Sequence, residues 1–321
     1  MSKSCSRDNC YDELRCPVGH VHKKDCPHWN KSKNKETVPV GLDIPEGDSH
    51  LLSWSGSSMG MDDINVLTER SNSMLLGSVG EANSGKTTFL GLLYLLLNDG
   101  QFIKNWNFSN SYSILGWEYI ANYLRYQSGY KPEFPPHTSS FGGRDVGLMH
   151  LGLLNNQSLF DLMFTDVPGE WFTNWSSDIN GTGTGNANWI NENSRGFFLF
   201  IDCEALVKEP GKYRLKTRSL INRLLNDLKE RPVAIIWSKA DLFDKIKDAT
   251  KGIILKELEK ISIKKEFLVS IHHGKGNSYH KNVLKSVAWL MTEITTNRVS
   301  EEFEFSSSKS DDFFISYRGE L

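Results

Sequence analysis

The sequence predicts an α/β fold: a mostly parallel six-stranded sheet with one antiparallel strand, helices on both faces, and a small Cys/His module in front. Three observations predict it. Short apolar runs alternate with helix-like patterns through residues 70–297, as in a parallel sheet covered on both sides. Two of those runs are joined by only Asn155-Asn156-Gln157-Ser158, which suits a hairpin and is too short for a crossover. Four of the five cysteines lie in the first 26 residues, apart from the rest of the pattern.

Taken in order, residues 1–45 are rich in Cys, His and Lys and poor in aliphatics, and residues 46–69 read as linker. Ser73 to Val79 predicts a buried strand, and Thr87 to Asn98 a strongly apolar helix. Gly147 to Leu154 and Leu159 to Thr165 are the hairpin strands, and the hairpin implies an antiparallel edge strand. Gly196 to Ile201, Val233 to Trp237 and Glu266 to Ser270 are three more strands. Helices fall at about 213–229, 242–260 and 283–294, and residues 298–321 form a polar tail.

The net charge of −2 across 321 residues argues against bulk electrostatic binding to nucleic acid or anionic membrane, and no direct binding to either is expected. Met1 to Cys5 is polar, without a secretory leader pattern, and the longest apolar run, Phe89 to Leu97, is far below the ~20 residues of a spanning helix. The expected location is cytoplasmic.

Gly80-Glu81-Ala82-Asn83-Ser84-Gly85-Lys86-Thr87 matches G-x-x-x-x-G-K-[ST] between a strand and an apolar helix, with Thr88 next in the helix. Glycines let such a P-loop wrap its N–H groups around phosphates, the Lys86 ammonium meets β- and γ-phosphate oxygens, and the Thr87 hydroxyl ligates Mg²⁺. The helix start adds its positive end.

Asp166-Val167-Pro168-Gly169 follows the second hairpin strand. An aspartate there can hold Mg²⁺ through water, and the glycine N–H can meet a γ-phosphate. Asp178 to Gly181 repeats the D-x-x-G spacing without a strand before it. Ser238-Lys239-Ala240-Asp241 closes the fifth strand. The Asp241 carboxylate can accept from guanine N1–H and N2–H₂, donors adenine lacks in that arrangement, while the Lys239 stem lies over the base. Asp241 also suits a helix N-cap, and both roles can coexist.

This order of motifs, with Ser270 after the next strand, resembles the Ras-like P-loop GTPase domain of the translation-factor and Ras class over about residues 70–296. The resemblance implies a six-stranded sheet with one antiparallel strand, GTP/GDP and Mg²⁺ as ligands, and hydrolysis of GTP. Ser238 stands where that family usually has Asn or Thr and keeps a hydroxyl. The Mg²⁺-binding switch threonine has no unique candidate; Thr138, in Pro135-Pro136-His137-Thr138, is the choice, with an ordinary loop threonine as the alternative. Glu170 takes the place of the water-orienting glutamine, where it can act as base, Mg²⁺ outer-shell group or rim residue. Slow intrinsic turnover, accelerated by a partner, is expected. A non-hydrolysing nucleotide scaffold and a P-loop ATPase are the alternatives. Trp106, Trp117, Trp171, Trp175 and Trp189 flank these segments, as core packing or as a partner-reading surface.

Cys5, Cys10, Cys16 and Cys26, with His20 as substitute for one of them, suit a tetrahedral Zn²⁺ in a segment too short to fold without it. A loose tail with free thiols is the alternative. Cys16-Pro17-Val18-Gly19-His20 and Cys26-Pro27-His28-Trp29, ahead of the Pro135-Pro136 segment, are similar to the bacterial double-GTPase type 2 group. That resemblance implies regulatory or effector partners encoded in the same gene cluster, in bacterial conflict or antiviral defence. Elemental analysis of the purified chain should find one Zn²⁺ per molecule, and chelation should release it while nucleotide binding survives. A metal-free chain would contradict the zinc assignment.

Overall fold

The computed structural model describes residues 59–61, 63–68, 71–125, 146–155, 158–178, 184–272 and 278–296. The zinc candidates Cys5, Cys10, Cys16, His20 and Cys26, the switch candidate Thr138 and the tail from residue 298 lie outside the described residues.

Along the chain, α1 (Ile64–Thr68) precedes β1 (Asn72–Val79), α2 (Lys86–Asn98), β2 (Asn107–Asn110) and α3 (Ile114–Leu124). The hairpin β3 (Leu148–Asn155) and β4 (Ser158–Thr165) follows, then α4 (Gly169–Ser177), α5 (Gly185–Asn193), β5 (Gly196–Asp202), α6 (Cys203–Lys208) and α7 (Pro210–Asp227). The last elements are β6 (Val233–Ser238), a 3₁₀ turn (Ala240–Lys245), α8 (Asp248–Leu258), β7 (Lys264–Val269) and α9 (Ser278–Thr296).

The described strands form one sheet of order β2-β3-β4-β1-β5-β6-β7. β4, β1, β5, β6 and β7 run parallel, while β3 opposes both β4 and β2. The sheet therefore has seven strands where the sequence predicted six, and its antiparallel strand sits one place in from the edge. The extra strand, Asn107-Phe108-Ser109-Asn110, is polar and mostly exposed. It is held by backbone pairing to β3, so it has no apolar run from which to be read.

β5 and β6 are buried along their whole length, which is why they read as unbroken apolar runs. Alternate residues feed two cores. Leu76, Phe198, Phe200 and Ile236 pack with Leu90 and Leu93 of α2 and Leu290 of α9. Leu75, Leu199, Ile201 and Trp237 pack with Phe172 of α4, Leu220 of α7 and Ile254 of α8. Trp117, Trp171 and Trp175 are buried, and Trp106 and Trp189 are partly buried against the two cores. Met59, within the stretch read as linker, bridges to Leu148 and is buried with Leu67 in the second core. Among the described residues no helix is long and apolar enough to cross a membrane.

The register brings Asp202, Ser238 and Val269 level at the carboxyl ends of β5, β6 and β7. Crevices in open α/β sheets form at that edge. Ser78 N–H donates to Thr165 Oγ1 at 2.7 Å, locking the ends of β1 and β4 together.

A buried polar network fastens the other side of the sheet. His150 of β3 is fully buried; its Nδ1 accepts from Tyr112 N–H at 3.0 Å, leaving Nε2 to donate to Asp161 Oδ1 at 2.8 Å. Ser71 Oγ donates to the other Asp161 oxygen. The His150 main chain takes Trp117 Nε1–H at 2.8 Å and gives its N–H to Ser113 at 2.8 Å, so one residue anchors both β4 and the start of α3. Replacing His150 by Leu strips a buried carboxylate of this donor and should cost about 3 kcal/mol or more. Urea unfolding reads this as a lowered midpoint; an unchanged midpoint would contradict the network's role.

Candidate functional site

The phosphate loop leaves β1 at Gly80 and enters α2 at Lys86. Two left-handed residues make the turn, Asn83 at φ 62° and Gly85 at φ 87°. Gly85 suits this because a side chain there would be strained, and a Cβ would stand 3.4 Å from the Ser238 Cβ. The loop thus lies directly against the end of β6.

Lys86 is buried, and its Nζ donates to the carbonyls of Gly80 and Glu81, each at 3.0 Å. Burial pulls its pKa down to about 8, against the opposing charges of Asp166, Glu170 and Glu81. A partly desolvated ammonium at a helix start is suited to an anion that stabilises its charged form. Thr87 Oγ1 donates to Asp166 Oδ1 at 2.8 Å. Burial raises the Asp166 pKa, while the Thr87 hydrogen bond and Lys86 work against the rise.

Gly169 opens α4 with its backbone pressed onto the loop: a Cβ there would fall 2.2 Å from Ala82 N and 2.4 Å from Glu81 C. Only glycine fits such an approach. Glu170 follows in the first turn of α4 and is exposed.

On the far side, Asp241 lies inside the 3₁₀ turn, whose start has no side-chain cap. Its Oδ1 accepts from Ser270 Oγ at 2.6 Å, so the carboxylate is oriented by the residue that follows β7 rather than spent as a cap. The helix expected over 242–260 is broken where Ile246 turns extended and buries in the core. Ser238 Oγ donates to Ile201 O at 3.3 Å. Lys239 sits at φ 52°, and its Nζ bonds Asp202 at 2.7 Å and Glu204 at 2.9 Å. Burial alone would lower the Lys239 pKa, but these two carboxylates carry it above the usual lysine value. Lys208 and Lys239 hold Glu204 down at about 2.

These groups line one cavity of about 580 Å³, within the range of small-molecule and cofactor sites. Its walls include Asn83, Ser84, Gly85, Lys86, Thr87 and Thr88 at one end, Gly169 and Glu170 beside them, and Ser238, Lys239, Asp241 and Ser270 at the other. Phe89, Leu92, Phe200 and Ile236 supply an apolar floor. Gly80 lies beneath the loop as an acceptor for Lys86, and Asp166 stands behind Thr87.

Three residues in and around the cavity escaped the sequence reading: Glu81, Asp202 and Glu204. Asp202, an acid closing a wholly apolar strand, was the one visible signal; its carboxylate caps α6 by accepting from Glu204 N and Ala205 N at 2.8 and 3.1 Å. No group of residues able to hold a metal through three or more His, Cys, Asp or Glu side chains occurs among the described residues.

A sequence model of the family described as Double-GTPase 2 matches residues 74–290. No curated protein sequence matches the chain. Among solved structures, a protein described as nucleolar GTP-binding protein 1 from Plasmodium falciparum is similar, with 12% identity and a TM-score of 0.43 over 70% of this chain and 90% of that one. The signal recognition particle receptor SRb-GTP/SRX complex from Chaetomium thermophilum is another, at 15% identity and a TM-score of 0.39 over 67% of this chain and 97% of that one.

Proposed function

We propose, from the premise that this chain belongs to the Double-GTPase 2 family, that it binds GTP with Mg²⁺ at the carboxyl edge of its sheet, hydrolyses it slowly and acts as a switch on partner proteins. The observation that carries the reading is a cavity that has a phosphate loop at one end and the Ser270-oriented Asp241 at the other.

The residues present fit the ligands. Loop N–H groups and Lys86 suit the β- and γ-phosphates, and the Asp241 carboxylate suits the N1–H and N2–H₂ edge of guanine. Thr87 Oγ1 and the Asp166 carboxylate, 2.8 Å apart, are hard oxygen donors of the kind Mg²⁺ takes, with Thr138 proposed as a further one. When bound, that ion supplies positive charge that offsets the phosphate oxygens.

The chain's own residues then divide the work. Lys86 sets the phosphates, Gly169 offers its N–H to the γ-phosphate, and Glu170 at the mouth orients or deprotonates the attacking water. A carboxylate beside a γ-phosphate is repelled by it, which makes turnover slow until a partner supplies compensating charge. The partners are proposed to be regulatory or effector proteins encoded in the same gene cluster, in bacterial conflict or antiviral defence, with the protein working in the cytoplasm. The resemblance carried by the Cys/His segment is what suggests that setting.

Single-turnover hydrolysis of γ-labelled GTP by the isolated chain tests the reading. Expected rates are on the order of 10⁻⁴ to 10⁻² s⁻¹, with Glu170→Ala lowering them by about a hundredfold. Fast turnover without a partner, or an unchanged Glu170→Ala rate, would contradict it; tight binding with no turnover would favour a scaffold.

A further inference from the structure

We propose that Glu81 is a positioning residue of this nucleotide site, one that ties α4 to the phosphate loop and thereby sets the preference for GTP over GDP. The inference rests on the GTP reading above. Glu81 is the second residue of the loop and is 4% exposed. It is a junction of three elements. Its main-chain carbonyl accepts from Lys86 Nζ at 3.0 Å. Its Oε2 accepts from Thr173 Oγ1 of α4 at 2.8 Å and pairs with Lys216 Nζ of α7 at 3.3 Å. Thr173 Oγ1 also lies 3.3 Å from the Gly169 carbonyl.

The N-terminal half of α4 is therefore fastened to the phosphate loop twice. Gly169 packs on the Glu81–Ala82 backbone, and Thr173, four residues further along α4, reaches the Glu81 carboxylate. A purely structural position would not call for an acid. Burying a carboxylate costs free energy unless it is fully bonded, and Glu81 Oε1 is buried with no hydrogen bond among the described residues. An apolar side chain would fill the space at lower cost. What the acid adds is a directional link to the helix whose first residue, Gly169, the GTP reading assigns to the γ-phosphate.

GTP and GDP differ only in that phosphate. Holding α4 in place beforehand removes an ordering cost from GTP binding and leaves GDP binding almost untouched. Lys216, 41% exposed at its side chain, offsets the Glu81 charge that would otherwise repel the phosphates.

The experiment measures affinity for GTPγS and for GDP, with Mg²⁺, on the full chain and on Glu81→Ala, Thr173→Val, Lys216→Met and the Glu81→Ala/Lys216→Met pair. Each single variant should weaken GTPγS at least about fivefold, with GDP changing less than about twofold, and the pair should be no weaker than Glu81→Ala alone. Equal losses for both nucleotides, unchanged GTPγS affinity, or additive losses in the pair would overturn the role of Glu81. Should Glu81→Ala fail to fold, Thr173→Val and Lys216→Met carry the same test from partly exposed positions. A wild-type chain that binds neither nucleotide would instead defeat the GTP reading itself.

Discussion

The parallel pairing of β1 with β4 is the constraint on which the site depends. It sets the loop after β1 beside the loop after β4, close enough for Thr87 to bond Asp166 and for Gly169 to lie against Ala82 without room for a side chain. The Ser78–Thr165 hydrogen bond closes the same seam from inside the sheet. Parallel strands can be neighbours only if the chain crosses over between them, so the hairpin of β3 and β4 inserted after α3 is what returns β4 to the side of β1.

The opposite wall follows from the strands on the other side of β1. β5, β6 and β7 are added in sequence, and their level ends bring Lys239, Asp241 and Ser270 to the same edge. Charge is then disposed in two ways along one cleft. At the phosphate end Lys86 is buried and its pKa falls to about 8, which favours an anionic ligand. At the base end Lys239 is already paired with Asp202 and Glu204, so its charge is spent on fixing its own side chain. The two lysines are thus prepared for different tasks, one to meet charge and one to hold a shape.

Much of this was legible in the residues. Buried parallel strands announce themselves as apolar runs, and Gly80 to Thr87, Asp166 to Gly169 and Ser238 to Asp241 each sit at a strand end, so their convergence was foreseeable. β2 was not legible because Asn107 to Asn110 is short and mostly exposed and joins the sheet by pairing with β3. Nor was the break at Ile246, since an extended residue anchored by burial leaves the helical pattern around it intact. Glu81 was hidden for a different reason: the spacing of the loop motif leaves that position free, and its partners Thr173 and Lys216 come from elements 92 and 135 residues away. Long-range polar contacts of this kind have no local signature.

The central claim is that Asp241 reads guanine at the end of a phosphate-binding cleft. Its most direct test is nucleotide exchange in the Asp241→Asn variant, followed by calorimetry with GTP and with xanthosine triphosphate. Asparagine presents an N–H donor opposite the 2-amino donor of guanine, whereas xanthine keeps N1–H and offers a C2 carbonyl in place of that amine. The account predicts at least about a tenfold loss for GTP and a gain for the xanthosine nucleotide. Unchanged GTP affinity in the variant would contradict it.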